Sequence, residues 1–312
     1  MAPRFKNLDG SVPQSFDTVF KWAVTDKLTG RRRKSPARAP MPRVEPDLAA
    51  LATPPAPGQG ARLTWLGHAS WLVQLDGVSL LIDPVLRDAI NVVIRRNVPP
   101  GVPPEKLPPI AASLVSHNHY DHLDLPSLEQ VRAPVITGLG HQRIFRGGAR
   151  LPCTELDWWG STKVGAVTVH YVPSQHWSRR GLNDANQMLW GGFVIEGSSA
   201  RLYHSGDTAY FEGFKEIGRR YPGIDAAMLP IGAYDPAWFM SKQHMNPEEA
   251  VQAFEDLGAR RFMAMHWGTF KLTDEPLDEP PQRLDAEWTR RGWQREKLHV
   301  LAVGESLTVG NG

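Results

Sequence analysis

The stretch SLVSHNHYDHLDLPSLEQV, Ser113 to Val131, places three histidines and two aspartates within eight positions: His117, His119, Asp121, His122 and Asp124. They directly follow a short apolar run. AASLVS has the composition of a buried strand, and DLPSLEQV opens a helix, with Pro126 tolerated in its first turn. The HxHxDH cluster therefore occupies a strand-to-helix loop. A straight strand would send alternate side chains to opposite faces, whereas a loop can turn them all towards one point beyond the sheet edge. Polar groups crowded in this way are costly to desolvate unless a cation pairs with them. His117 and His119 can grip one cation, and Asp121 and His122 a neighbouring one. Imidazole and carboxylate suit zinc, with iron or manganese as substitutes.

One loop cannot fill two coordination spheres, so further ligands are expected at other strand ends. Three candidates meet that description: His176 in VPSQHWS, Asp207 in YHSGDTAY and His266 in MAMHWGTF. Each ends or follows a β-type run and sits beside Gly, Ser or Trp rather than inside an apolar alternation. The expected allocation is His117, His119 and His176 on one ion, Asp121, His122 and His266 on the other, and Asp207 bridging both. Taken singly, a strand-end histidine is more often a satisfied polar residue than a ligand. It is the HxHxDH loop that lifts His176 and His266 above that reading. His170, His204, His141 and His299 are read as structural. Asp83 in LLIDP ends a strand where it can hydrogen-bond the metal loop from behind and orient its ligands; the alternative is a turn aspartate before Pro84. His68 in LGHAS carries the same two readings.

Around this cluster the chain has the pattern of a mixed α/β protein. From Arg62, RLTWLGHASWLVQLDGVSLLIDP reads as strand, turn at Gly67, strand, Asp76-Gly77 turn, strand. Further strand-like runs are APVITG, AVTVHYV, WGGFVIEG, ARLYHSG, AAMLPI, RRFMAMHW and KLHVLAVG. The clearest helix is NPEEAVQAFEDLG, with Asn246 as cap, Pro247 in the first turn, Glu249 completing a capping box and Gly258 as the stop. Strands dominate the first half, and strands alternate with helices in the second. That order predicts two packed sheets with helices outside, an αββα four-layer sandwich.

Residues 1–60 differ, being rich in Pro, Ala and Arg with little periodicity, and are expected to form an arm preceding a domain over 61–312. One short amphipathic helix is expected inside the arm, from Ser15 as cap through Phe16, Phe20, Ala23 and Val24 to Gly30. RRRK, Arg31 to Lys34, follows it. The segment could rest on an anionic membrane surface or lie across the domain, and the second reading is the commoner one. A net charge of +2 argues against a dedicated nucleic-acid binder. Cys153 is the only cysteine, so no intrachain disulfide or thiolate cluster can form. No segment has the apolar length of a signal peptide or a membrane span, which predicts a cytoplasmic protein, at most peripheral to the membrane.

SHNHYDHLD, SQHW, SGDTAY, PIGAYDPAWFM, QHMNPEEA and MHWGTF, in this order, resemble the metallo-β-lactamase superfamily. They look most like its branch of N-acyl-phosphatidylethanolamine-hydrolysing phospholipases D. The match covers about Arg62 to Gly304, and the aromatic-rich words around Trp158, Trp177, Trp238 and Trp267 make the branch assignment specific. The resemblance implies the αββα sandwich and a two-zinc site on the seven ligands named above. It also implies Tyr120, Gln243 and His244 near the substrate phosphate or headgroup, and homodimers as a common state. The implied reaction is attack by hydroxide from a metal-bridging water on a phosphodiester, releasing an N-acylethanolamine and a phosphatidic acid. Asp121 or His244 would protonate the leaving alkoxide. Rival readings are a lactonase or other phosphoesterase on the same scaffold and a non-enzymatic, membrane-associated binding protein built on the arm. The diiron branch resembles HxExDH, whereas His119 stands at that second ligand place here.

Overall fold

The computed structural model of the chain describes residues 4–11, 21–90, 93–147, 150–181 and 183–310. Numbered in chain order, the first sheet holds β1 (Ala61–Gly67), β2 (Ser70–Leu75), β3 (Val78–Ile82), β6 (Ala112–Val115), β7 (Val135–Gly138), β8 (Cys153–Leu156) and β16 (Ser306–Val309). A two-stranded hairpin, β4 (Ala89–Ile90) and β5 (Ile94–Arg95), stands apart from both large sheets. The second sheet holds β9 (Ser161–Val164), β10 (Val167–Val172), β11 (Gly192–Glu196), β12 (Arg201–His204), β13 (Ala226–Pro230), β14 (Phe262–Met265) and β15 (Leu298–His299). The strand orders are β16-β1-β2-β3-β6-β7-β8 and β15-β14-β13-β12-β11-β10-β9.

The period-2 alternation of the first sheet explains why it sits in the middle of a layered molecule. Leu63, Trp65, Trp71, Val73, Leu80 and Ile82 face the second sheet and join the main core. The intervening Leu66, Leu72 and Leu81 form a separate cluster on the outer face. Val115 and Val135 face outward too, under Leu128 of α2 (Leu125–Val131) and Phe145 of α3 (Gln142–Gly147). On the far side, α6 (Pro247–Leu257) packs on β13 and against α4 (Gly213–Arg220) and α7 (Glu279–Arg290). The layers are thus helix, sheet, sheet, helix, and α1 (Leu48–Leu51) and α5 (Ala237–Met240) are single turns.

Local signals place the elements as their chemistry requires. Asp76 and Gly77 both take positive φ, 49° and 75°, in the two-residue turn that pairs Leu75 with Val78. Asn246 and Glu249 form a reciprocal capping box on α6, and Gly258 ends it in the left-handed region. Asp124 caps α2 by accepting from the Ser127 amide and pairs with Arg87, so it lies outside the metal cluster. Two expectations changed: KLHVLAVG is a strand only over Leu298–His299, and β8, β9 and β16 appear where no run was singled out.

Strand direction decides where the site is built. β1 and β3 are both antiparallel to β2, and β6 is parallel to β3, so β1, β3 and β6 run the same way. By the same reasoning β10, β12, β13 and β14 share one direction in the second sheet. Their C-terminal ends carry His68, Asp83, the His117 loop, His176, Asp207 and His266.

Of the N-terminal segment, Ser15, Phe16 and Phe20 of the expected helix lie outside the described residues, as do the side chains of Ala23 and Val24. Lys21–Asp26 forms a π-helical turn, and Gly30 follows at φ 68°. Beyond it the chain crosses the domain: Arg32 pairs with Asp274, Arg33 with Glu279 and Asp235, and Val44 donates to the Val303 carbonyl.

Candidate metal centre

The structure brings all seven expected ligands to one point at the sheet rim. Two groups form there, His117, His119, His176 and Asp207 in one and His68, Asp121, His122 and His266 in the other. In the first, His117 Nε2 lies 2.8 Å and His176 Nε2 3.2 Å from His119 Nδ1. Nitrogens bound at about 2.0–2.1 Å to one tetrahedral zinc would stand about 3.3 Å apart, so this spacing fits a shared cation. Asp207 reaches into both groups. Its Oδ2 is 3.2 Å from His122 Nε2 and 4.0 Å from His117 Nε2, and its Oδ1 is 3.1 Å from His266 Nε2.

The orphaned atoms are the stronger test. His122 Nε2, His266 Nε2 and Asp207 Oδ1 are all buried without a hydrogen-bond partner. His122 and His266 stand close to Asp207 but not along hydrogen-bonding directions. Buried polar atoms almost always find partners, and polar atoms that converge without bonding one another mark a place for a cation. The residues fit the expected pair of metal ions.

The opposite ring nitrogens of His117, His122 and His176 are occupied, which orients these rings. Asp83 accepts from His122 Nδ1 at 2.7 Å and from the amide and hydroxyl of Ser116 at 2.7 and 2.6 Å, all fully buried. His176 Nδ1 donates to the Gln243 carbonyl at 2.8 Å, leaving Nε2 for the centre. His68 differs from the rest of its group because its Nε2 is hydrogen-bonded to Asp121 Oδ2 at 3.1 Å. It orients the carboxylate, and its carbonyl accepts from the His266 amide. Gly206, at φ 60°, lets the Asp207 loop pass the His117 loop. A Cβ there would stand 2.6 Å from the Gly191 carbonyl and 2.9 Å from Ser116 Cβ.

Electrostatics divide the histidines. Burial, reinforced by neighbouring imidazoles, lowers His117 well below its usual range, and burial brings His119 to about 4 and His68 and His176 to about 3. These rings are neutral and ready to ligate. Burial also opposes charge on His122 and His266, but Asp207 and Asp121 outweigh it, raising His122 well above its ordinary value and His266 to about 9. For Asp121 and Asp207 burial works against ionisation, and the surrounding histidines, His122 foremost, still hold both well below the carboxylate range. Without metal, two imidazolium protons stand in for cationic charge between two carboxylates.

The centre forms the floor of a cleft of about 520 Å³. Tyr120, Gln243 and His244 all line it. Tyr120 is exposed at the mouth, with Arg180 stacked 4.0 Å from its ring centroid. Gln243 is buried and serves the centre through its carbonyl, while its Oε1 is unpaired. His244 Nδ1 is unpaired and 3.9 Å from Asp207 Oδ2. Burial lowers this ring to about 3. Ile90, Ile94, Trp177, Phe239, Met240 and Leu272 supply apolar wall.

Two arginines were missed from sequence. Arg180 donates to the carbonyls of Asn118 and Leu123 and clamps the HxHxDH loop; its place two residues after SQHWS was the available signal. Buried Arg96 ties the Leu66, Val85 and Val98 carbonyls together beneath His68 and Asp83, and nothing in its surrounding sequence announces that. Among the structural histidines, His204 is bonded to the Ala69 carbonyl and the Gly206 amide, and His141 to the Gly138 carbonyl.

A sequence model described as a Beta-lactamase superfamily domain matches residues 79–267. The chain is 37% identical over 252 residues to N-acyl-phosphatidylethanolamine-hydrolyzing phospholipase D 1 of Caenorhabditis elegans, covering 73% of this chain and 70% of that protein. It is 32% identical over 257 residues to a metal-dependent hydrolase of Rubrobacter xylanophilus, covering 80% and 96% of the two chains. The isothiocyanate hydrolase from Delia radicum gut bacteria shares the fold at a TM-score of 0.65 and 20% identity, over 80% of this chain and 99% of that one.

Proposed function

The chain belongs to the β-lactamase superfamily and is a metal-dependent hydrolase, and we propose that it is a binuclear zinc phosphodiesterase of phospholipase D type acting on N-acyl-phosphatidylethanolamine-like lipids. The observation that carries this reading is the make-up of the cleft. Ligand side chains form its floor, Ile90, Ile94, Phe239, Met240 and Leu272 form an apolar wall, and Arg179 and Arg180 lie at its side. Such a cleft suits an anionic group attached to acyl chains. The activity named for the Caenorhabditis elegans relative supports the same choice.

His117, His119 and His176 would hold one ion, Asp121, His122 and His266 the other, and Asp207 both. When bound, two such cations supply Lewis acidity for a phosphoryl group and make a water acidic enough to lose its proton near neutral pH. The protein's own residues manage the proton. Asp121 keeps 15% of its side-chain surface exposed against 2% for Asp207, so it is the carboxylate able to exchange a proton with the cleft. Held ionised, it takes the proton of the attacking water. The water oxygen then bonds to phosphorus, the bond from phosphorus to the ethanolamide oxygen breaks, and Asp121 returns the proton to that leaving oxygen. His244, which burial holds neutral, is placed in the cleft to hydrogen-bond a substrate oxygen. His68 keeps Asp121 in place.

The test is incubation of the zinc-loaded protein with vesicles containing an N-acylated phosphatidylethanolamine, with mass spectrometry of the products. Equal amounts of N-acylethanolamine and phosphatidic acid are expected. Absence of both from a fully metallated protein that opens lactones or thioesters would replace the phosphodiesterase reading.

No described helix is long and apolar enough to cross a membrane. We assign contact with a lipid surface, if the substrate is presented in one, to the cleft mouth and the neighbouring N-terminal segment.

A further inference from the structure

Residues 5–11 are in a stretch with no periodicity, yet they are fastened to the loop that carries His176. Asn7 is buried, and its Oδ1 accepts from the His176 backbone amide at 3.2 Å and from Trp190 Nε1 at 2.9 Å. Both partners can only donate, so the orientation of the amide is settled: oxygen towards the loop, and Nδ2 towards Ser11 Oγ at 3.2 Å. Asp9 Oδ2 and Ser11 Oγ accept from Gln175 Nε2 at 2.9 and 3.1 Å. Phe5 donates its amide to the Asn186 carbonyl, and Asn186 is bonded in turn to Ser178.

The grip extends to the second strand end. Gln175 accepts from the Ala209 amide at 2.9 Å, and its own amide donates to Thr208 Oγ1 at 3.0 Å. The segment therefore holds the residue before His176, which holds the two residues after Asp207. Two ligands of the same cation group hang on it.

We propose that Asn7 is a positioning residue of the metal centre, and that residues 5–11 act as a brace which sets His176, and through Gln175 Asp207, for the ion bound by His117, His119 and His176. This rests on the reading of these side chains as a two-ion centre. Ligand-supporting partners of this kind typically change metal affinity by about 10–100-fold. Among the described residues the brace has no comparable contact with Asp121, His122 or His266, so the larger loss falls on the ion held by His117, His119 and His176, and the other ion feels only what passes through Asp207.

The experiment is a cobalt titration of the whole 312-residue chain, metal-free, following the visible absorption of each of the two binding steps. The wild type should bind two ions; fewer would sink the two-ion reading itself and is seen before any variant is made. Asn7→Ala should weaken one step by about tenfold or more and the other far less. Asn7→Asp keeps an oxygen acceptor and should restore the weakened step. Two unchanged steps in Asn7→Ala, or an equal loss in both, would overturn the proposal. Should Asn7→Ala fail to fold, Ser11→Ala removes the bond that orients the amide and should weaken the same step more than the other; equal or absent effects there overturn the proposal as well.

Discussion

Asp83→Ala is the substitution whose cost can be worked most directly from the structure. The carboxylate is fully buried and accepts three hydrogen bonds, from His122 Nδ1, the Ser116 amide and the Ser116 hydroxyl. The hydroxyl oxygen lies 3.0 Å from His117 Nδ1 and 3.4 Å from His122 Nδ1, so it can still take the His122 proton. The Ser116 amide and the hydroxyl's own proton lose their acceptor. Each stranded buried donor costs about 1–3 kcal/mol, so the metal-free protein should lose about 2–6 kcal/mol of stability. His122 also loses the acceptor that fixes its tautomer and aims Nε2 inward, so the affinity for the ion held by Asp121, His122 and His266 should fall about 10–100-fold. The assay is urea unfolding of the metal-free protein, followed by zinc titration against a competing chelator. Asp83→Asn separates the two effects. Its amide oxygen can still accept from Ser116, while its amide nitrogen opposes His122 Nδ1–H, so stability should recover in part and zinc affinity should not. Unfolding within about 0.5 kcal/mol of wild type, with both zinc steps intact, would refute the orienting role.

Metal uptake should depend on pH through the protons on His122 and His266. Both are raised above the ordinary histidine value, His266 to about 9, so both rings are protonated near neutrality, and binding must expel those protons. Apparent affinity should rise as pH increases towards 9, with proton release measurable by indicator dye in weak buffer; uptake at pH 7 without release would contradict the assignment. His119→Ala should lose one ion and Asp207→Ala should impair both, each with its activity, as read by elemental analysis after dialysis. A variant with full metal and full activity would remove that residue from the ligand set. Asn246→Ala removes the reciprocal cap of α6 and should lower stability by about 1 kcal/mol in urea unfolding, without changing zinc content.

Legibility in the sequence followed how local each signal is. HxHxDH stood out because its crowding of polar groups at a strand end is expressed within six residues. His176, Asp207 and His266 could be singled out one by one as strand-end residues, and the shared direction of β10, β12 and β14 explains why that position was informative. The capping box on α6 is likewise complete within a few positions. Elements without such signals were passed over. β9 is a half-exposed edge strand without an apolar alternation. α7 begins with Pro280 and Pro281, tolerable only in a first turn, and its buried face is reduced to Pro280, Leu284, Glu287 and Trp288. Asn7 had no local signal. Its role exists only because residues 169 and 183 positions away in sequence, His176 and Trp190, come to lie against it. His68 and Asp83 were ambiguous between turn and support, and hydrogen-bond geometry, which sequence does not carry, separates those readings.

Anomalous diffraction from zinc-loaded crystals tests the binuclear centre most directly. Two peaks are expected, one among His117, His119 and His176 and one among Asp121, His122 and His266, with Asp207 between them. A single peak, or density that leaves His176 or His266 without a metal, would contradict the account.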